Sequence, residues 1–108
     1  MNKTAQSLLR TIRETRREDV RARAPAVAFV IEEALGLVRG NAPLADAAKE
    51  AHKTALVYFG SLLSSHPSVR GNINKKLDDA ERAVAKFGAL LDEAPLTEES
   101  VLLKIEHP

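Results

Sequence analysis

The residues from Ile73 to Leu91 constrain the fold of this chain most, because they carry a regular apolar repeat. Apolar side chains recur there at alternating steps of four and three residues, which is the heptad spacing of a helix buried along one stripe against other helices. The repeat comprises Ile73, Leu77, Ala80, Val84, Phe87 and Leu91. Charged residues fill most positions between them, so the opposite face is expected to meet water. The repeat therefore predicts one long helix of a helical bundle.

A second repeat with the same spacing predicts another long helix, from about Pro43 to Ser64. It comprises Leu44, Ala48, Ala51, Ala55, Tyr58 and Leu62. Its early part is rich in alanine, so a neighbouring helix can approach closely there. The small residue Gly88, in the helix described above, marks a second point where close approach is expected.

Two further helices are expected before the second repeat. The first runs from about Lys3 to Arg23, with Asn2 as its N-cap. Pro25 should end this helix and begin the next, since proline suits the first turn of a helix. The second helix extends to about Arg39 and is apolar over most of its circumference. We therefore expect it to be the most enclosed helix of the protein.

The last part of the chain contains the fourth helix and a short fifth one. The fourth helix begins either at Ser68 or, with Asn72 as its cap, four residues later, and it ends near Glu93. Thr97, as an N-cap, and Glu98 and Glu99, in the first turn, then predict a C-terminal helix from Glu98 to about Glu106.

These elements predict an all-α fold, a four-helix antiparallel up-down bundle with a short C-terminal fifth helix. The segments that end the helices are short, which favours antiparallel neighbours. Heptad stripes on two helices favour bundle packing over a globin-like arrangement. With 108 residues, the chain is expected to form a single domain, residues 1–108.

The composition limits the classes of function that this chain can serve. It contains no cysteine, so it forms no disulfide and holds no thiolate nucleophile or thiolate metal site. No stretch approaches the roughly 20 apolar residues that span a membrane, and the first residues lack an apolar signal region. We expect a soluble cytoplasmic protein that does not bind membranes.

None of the usual residue patterns of catalysis is present. Adjacent carboxylates such as Asp78 and Asp79 diverge on a helix, and no nucleophile motif occurs. His52 lacks a second metal ligand one turn away, where Ala48 and Leu56 stand instead. We expect no enzyme activity, no cofactor and no bound metal.

A cluster of arginines is the first candidate binding surface. The first 23 residues hold seven basic and three acidic side chains, although the whole chain has a net charge of only +1. Arg10, Arg13, Arg17 and Arg21 recur at helical spacing and should share one face of the first helix. Their guanidinium groups suit phosphate or carboxylate, whereas the alternative is a solvated face laced with glutamates. The four aromatic residues are expected in apolar stripes, away from these arginines.

The apolar residues Leu102, Leu103 and Ile105 of the C-terminal helix are the second candidate. They must be covered, either by the end of their own bundle or by a partner. The two candidates together predict a non-catalytic protein-interaction or regulatory module, similar to an adaptor, that binds another protein or a second copy of itself. The alternative is a small nucleic-acid-binding protein that contacts the phosphate backbone through the first helix.

Overall fold

The computed structural model describes residues 2–36 and 40–94 of the chain, and every regular element in these ranges is helical. The elements are α1 (Lys3–Glu14), a 3₁₀ turn (Arg17–Asp19), α2 (Val20–Gly36), α3 (Ala42–Leu63), α4 (Pro67–Arg70) and α5 (Ile73–Glu93). The all-α class and the helical bundle are therefore confirmed.

The four long helices share one core. α3 and α5 pack against each other most extensively, while α1 packs against α5 and α2, and α2 packs against α3. Each long helix contributes at least one fully buried large side chain. Those with almost no solvent exposure include Leu8, Ile12, Val27, Leu44, Phe59, Val84 and Phe87.

Contacts at both ends of α1 show that it runs antiparallel to α5. Asn2 caps α1 by accepting hydrogen bonds from two backbone N–H groups, as the sequence predicts, and its Nδ2 also donates to Oδ1 of Asp92 at 2.8 Å. At the other end of α1, Arg13 pairs with Glu81. α1 therefore lies along the second half of α5, from Glu81 onward.

The first helix is much shorter than predicted, since it ends at Glu14 rather than Arg23. The helix ends early because Asp19 stabilises the start of a new helical segment at Arg16. Its Oδ2 accepts the N–H of Arg16 at 3.4 Å, and its own N–H donates to the carbonyl of Arg16 at 2.9 Å. Thr15, between the two segments, is buried, and its hydroxyl donates to the carbonyl of Thr11.

Pro25 lies inside α2, so the prediction that it separates two helices is wrong. Because proline has no N–H, the carbonyl of Arg21 lacks its usual helical donor. The side chain of Pro25 is exposed, so its ring does not have to fit into the core. The helix continues through this position because residues on both sides of it, Val20 and Val27, are held in the core.

α2 is also not the most enclosed helix, contrary to the prediction. It has four buried residues, whereas α3 has eight. α3 lies between α2 and α5 and is covered on two sides, but only one stripe of α2 meets its neighbours. Phe29, on the outer side of α2, is 60% exposed.

The later helices agree better with the sequence. The limits of α3 are within one residue of those predicted, and α5 begins after Asn72, which selects the second of the two starts. Ser68 belongs to the separate short helix α4. The close approach at Gly88 is confirmed, since a Cβ atom placed there would lie 2.5 Å from Cβ of Ala5. The predicted helix from Glu98 lies outside the described residues.

Candidate interaction surface

The four arginines of the predicted stripe do not belong to one helix. Arg10 and Arg13 lie on α1, Arg17 lies in the 3₁₀ turn and Arg21 lies on α2. The break at Thr15 ends the helical spacing that was expected to align them. The prediction that these arginines form a single stripe on one helix is therefore wrong.

Two of these arginines make contacts within the protein. Nε of Arg13 donates to Oε2 of Glu81 at 3.1 Å, and a second guanidinium nitrogen donates to the same oxygen. This hydrogen bonding, together with the charge of Glu81, raises the pKa of Arg13 above its ordinary value. Nη2 of Arg17 donates to the carbonyl of Leu63, the last residue of α3, at 3.3 Å. Arg13 and Arg17 thus connect neighbouring elements.

Arg10 and Arg21 are exposed and form no hydrogen bond or ion pair with any residue that the structure describes. They are the members of the predicted set that remain available for a partner. The other predicted contact residues, Leu102, Leu103 and Ile105, lie outside the described residues.

Four large apolar side chains of α2 and α3 are exposed to solvent. Phe29 is 60% exposed, Leu56 44%, Val57 47% and Leu63 44%. Phe29 was expected in an apolar stripe, but its position on α2 faces away from both neighbouring helices. Leu56 and Leu63 were expected to widen the apolar stripe of α3 together with Phe59, but only Phe59 is buried, so departure from the heptad positions does not by itself distinguish exposed from buried residues.

A groove lies between α2 and α3. Its volume is about 180 Å³. The apolar lining consists of Ala28, Ile31, Leu35, Ala45 and Ala48, and the polar lining consists of Glu32, Lys49 and His52. Leu56 is four residues after His52 and continues the groove face along α3, whereas Phe29, three residues before Glu32, lies on the outer side of α2 next to the groove edge. We call this site, with its two flanking side chains, the α2–α3 groove.

His52 is half-buried at the edge of the α2–α3 groove. The part of the chain that the structure describes contains no cluster of three or more side chains suited to holding a metal ion. With Lys49 and Glu32, the imidazole forms a polar rim around an apolar floor. Such an arrangement can orient a bound apolar side chain through a few polar contacts.

A second groove separates α3 from α5 and is larger, with a volume of about 550 Å³. Its lining combines Pro43, Ala47, Ala83 and Leu90 with the charged residues Asp46, Glu50 and Lys86. The other side of α5 is closed, because Ala5 and Asn2 of α1 lie directly against Gly88. We call this open site the α3–α5 groove.

The described residues form a helical bundle with two grooves that have mixed apolar and charged linings. Comparison with protein-family models, with curated proteins and with solved structures finds no match. Within the described residues, no helix combines the length and the apolar character needed to cross a membrane.

Proposed function

We propose that this protein is a non-catalytic protein-interaction module that binds an amphipathic helix of another protein in the α2–α3 groove. The exposure of Phe29 beside an apolar groove carries the proposal. Large apolar side chains grouped at a concave surface are typical of protein-binding sites, and aromatic residues often dominate the binding energy.

The size of the effect can be worked from the exposure of Phe29. A phenylalanine side chain buries roughly 200 Å² when it is fully enclosed. With 60% of its surface exposed, Phe29 offers roughly 120 Å² to a partner. At about 25 cal/mol per Å², covering it contributes up to about 3 kcal/mol. That is enough for one side chain to act as an anchor of the interface.

The groove itself favours a helical partner. Three of its lining residues are alanines, so the surface between α2 and α3 is low enough for the side chains of a third helix to enter. Glu32 on one side and Lys49 on the other offer opposite charges to the polar edge of the partner. Recognition of this kind uses apolar anchors spaced by three or four residues.

The test is selection of binders from a displayed library of amphipathic helical peptides, followed by affinity measurement with three variants. We expect Phe29→Ser and Leu56→Ser each to weaken binding at least tenfold. Val57→Ser is the matched control, since Val57 is adjacent to Leu56 and similarly exposed. It lies seven residues after Glu50, which places it on the side of the α3–α5 groove.

All three side chains are exposed, so none of these replacements should unfold the bundle. Failure to select any helical peptide would contradict the proposal. Equal losses from Leu56→Ser and Val57→Ser would also contradict it, because binding would then not be located at the α2–α3 groove.

A further inference from the structure

The face of α3 that lines the α2–α3 groove continues beyond His52 to the end of the helix. Leu56 lies four residues after His52, and Leu63 lies seven residues after Leu56, so all three share one face. The side chains of Leu56 and Leu63 are both 44% exposed. On α2, the exposed Arg21 lies seven residues before Ala28, which lines the groove. Both walls of the groove therefore extend toward the end of α3.

Gly60 leaves a gap in this extended face. It lies four residues after Leu56 and three residues before Leu63, and it is exposed, with nothing within 4 Å of an added Cβ. A position without a side chain between two large exposed ones forms a hole of the kind that receives a side chain of a packed helix. The extended face is therefore shaped to accept an apolar side chain of a helical partner.

Two arginines lie at the far end of the extended face. Nη2 of Arg17 donates to the carbonyl of Leu63 at 3.3 Å, which places this guanidinium at the end of α3. Arg21 forms no hydrogen bond or ion pair with any residue that the structure describes, and this includes Glu18, one turn before it. The guanidinium of Arg21 thus has no acidic partner within the described residues, and it suits a carboxylate of a bound protein.

Three other cavities are less suited to an acidic partner. The α3–α5 groove is lined by two carboxylates and one lysine. A cavity between α1 and α2 contains Glu33 as its charged residue, and a cavity beside Gly40 has no charged lining residue. Like charges disfavour an acidic partner at the first two of these sites. The charge distribution therefore directs such a partner to the α2–α3 groove.

We propose that the partner in the α2–α3 groove is a long acidic helix of another protein, which seats an apolar side chain at Gly60 and places carboxylates against Arg21. This inference rests on the proposed function, because it specifies the partner of the same groove. From the level of Ala45, which lines the groove, to that of Leu63, α3 rises about 27 Å at 1.5 Å per residue. The partner helix therefore needs about 18 residues to cover the extended face.

The test uses helical peptides that were selected with the wild-type protein and whose binding Leu56→Ser weakens. Each peptide is lengthened to about 18 residues, at one end or the other, by a turn that carries glutamates or, in the matched form, lysines. For one of the two extensions, we expect the glutamate form to bind roughly fivefold or more tightly than the lysine form at low salt. Arg21→Glu should reverse this preference, whereas Arg10→Glu, which changes another exposed arginine on α1, should leave it unchanged.

Gly60→Ala tests the seat at Gly60 in a protein that stays folded, since the added methyl group meets open space. It should weaken binding of the long glutamate peptide roughly fivefold or more, because a filled hole no longer accepts the side chain of the partner. Thermal unfolding should show that the variant is at least as stable as the wild type.

The possible failures separate this inference from the proposed function. Failure to select any helical peptide would overturn both. If peptides bind at the groove but the glutamate and lysine forms bind alike, only this inference is overturned. Equal effects of Arg21→Glu and Arg10→Glu, or full binding of the long peptide by Gly60→Ala, would overturn it in the same way. A wild-type dimer in sedimentation that Gly60→Ala dissociates would overturn it in favour of a second copy as the occupant.

Discussion

Replacing Gly88 by alanine tests the closest contact between two helices of this bundle. The added Cβ would lie 2.5 Å from Cβ of Ala5 and 3.6 Å from Cβ of Asn2. Carbon atoms in favourable contact are about 3.5–4.0 Å apart, so α1 and α5 would have to separate by roughly 1 Å. Because the Cβ of Ala5 is fixed to the backbone, no side-chain rotation can relieve this overlap.

Two effects of opposite sign act on the stability of this variant. Overpacking of this kind typically costs about 1–3 kcal/mol. Alanine is also a better helix former than glycine by about 1 kcal/mol, which offsets part of the loss. Gly60 separates the two effects, since it lies inside α3 with nothing within 4 Å of its added Cβ. Gly60→Ala should therefore raise the free energy of unfolding by up to about 1 kcal/mol.

The difference between the two variants measures the packing alone. We expect Gly88→Ala to be less stable than Gly60→Ala by about 1–3 kcal/mol, read from urea unfolding followed by circular dichroism. For a domain of this size, the melting temperatures should differ by roughly 5–20 °C. Adding Ala5→Gly to Gly88→Ala should recover much of the packing loss, which a double-mutant cycle reports as coupling. Two glycine variants of equal stability would refute the close contact of α1 with α5.

Three further predictions follow from other features of the structure. Pro25→Ala should raise the free energy of unfolding by about 1–3 kcal/mol, because Pro25 is exposed inside a helix; a neutral result in urea unfolding would instead place it at a helix start. Burial, and to a lesser extent the charge of Glu81, raises the pKa of Tyr58 above its ordinary value, and Glu81→Gln should lower it only in part. Since this is the sole tyrosine and there is no tryptophan, ultraviolet absorbance follows its titration directly. The unfolded chain loses this proton first, so stability should fall as the pH rises from about 10 through the raised pKa. Finally, Arg10 and Arg21 offer few phosphate contacts, so we expect no tight binding of labelled duplex DNA; a salt-sensitive complex lost in the Arg10→Glu/Arg21→Glu double variant would contradict this.

The sequence predicts those helices best whose buried face follows a strict period. The heptad stripes place α3 and α5 with nearly correct limits, because each stripe reports directly which face is covered. The cap at Asn2 is also predicted correctly, since it depends only on groups within three residues. Local patterns of this kind need no knowledge of the neighbouring helices.

The sequence mispredicts the features that depend on several local sequence patterns acting against each other, or on contacts between different helices. Pro25 favours the end of a helix, but the break lies about three turns earlier and depends on the hydrogen bond between the Asp19 side chain and the backbone N–H of Arg16. The exposure of Phe29 depends on which sides of α2 its neighbours cover, and the periodicity of a single helix does not contain that information. The same holds for Arg13, whose partner Glu81 is 68 positions away in the chain.

The short α1 has a consequence for how the protein opens. The ion pair at the end of α1 reaches α5 only at Glu81, and Ile73 and Leu77 in the first turns of α5 are only partly buried. No side chain described between Ser64 and Asp79 is buried. Regions with so little buried surface open at a small fraction of the global unfolding free energy. Amide hydrogens at this end should exchange with solvent well before those near Phe87, so the bundle should loosen from one end rather than unfold in a single step.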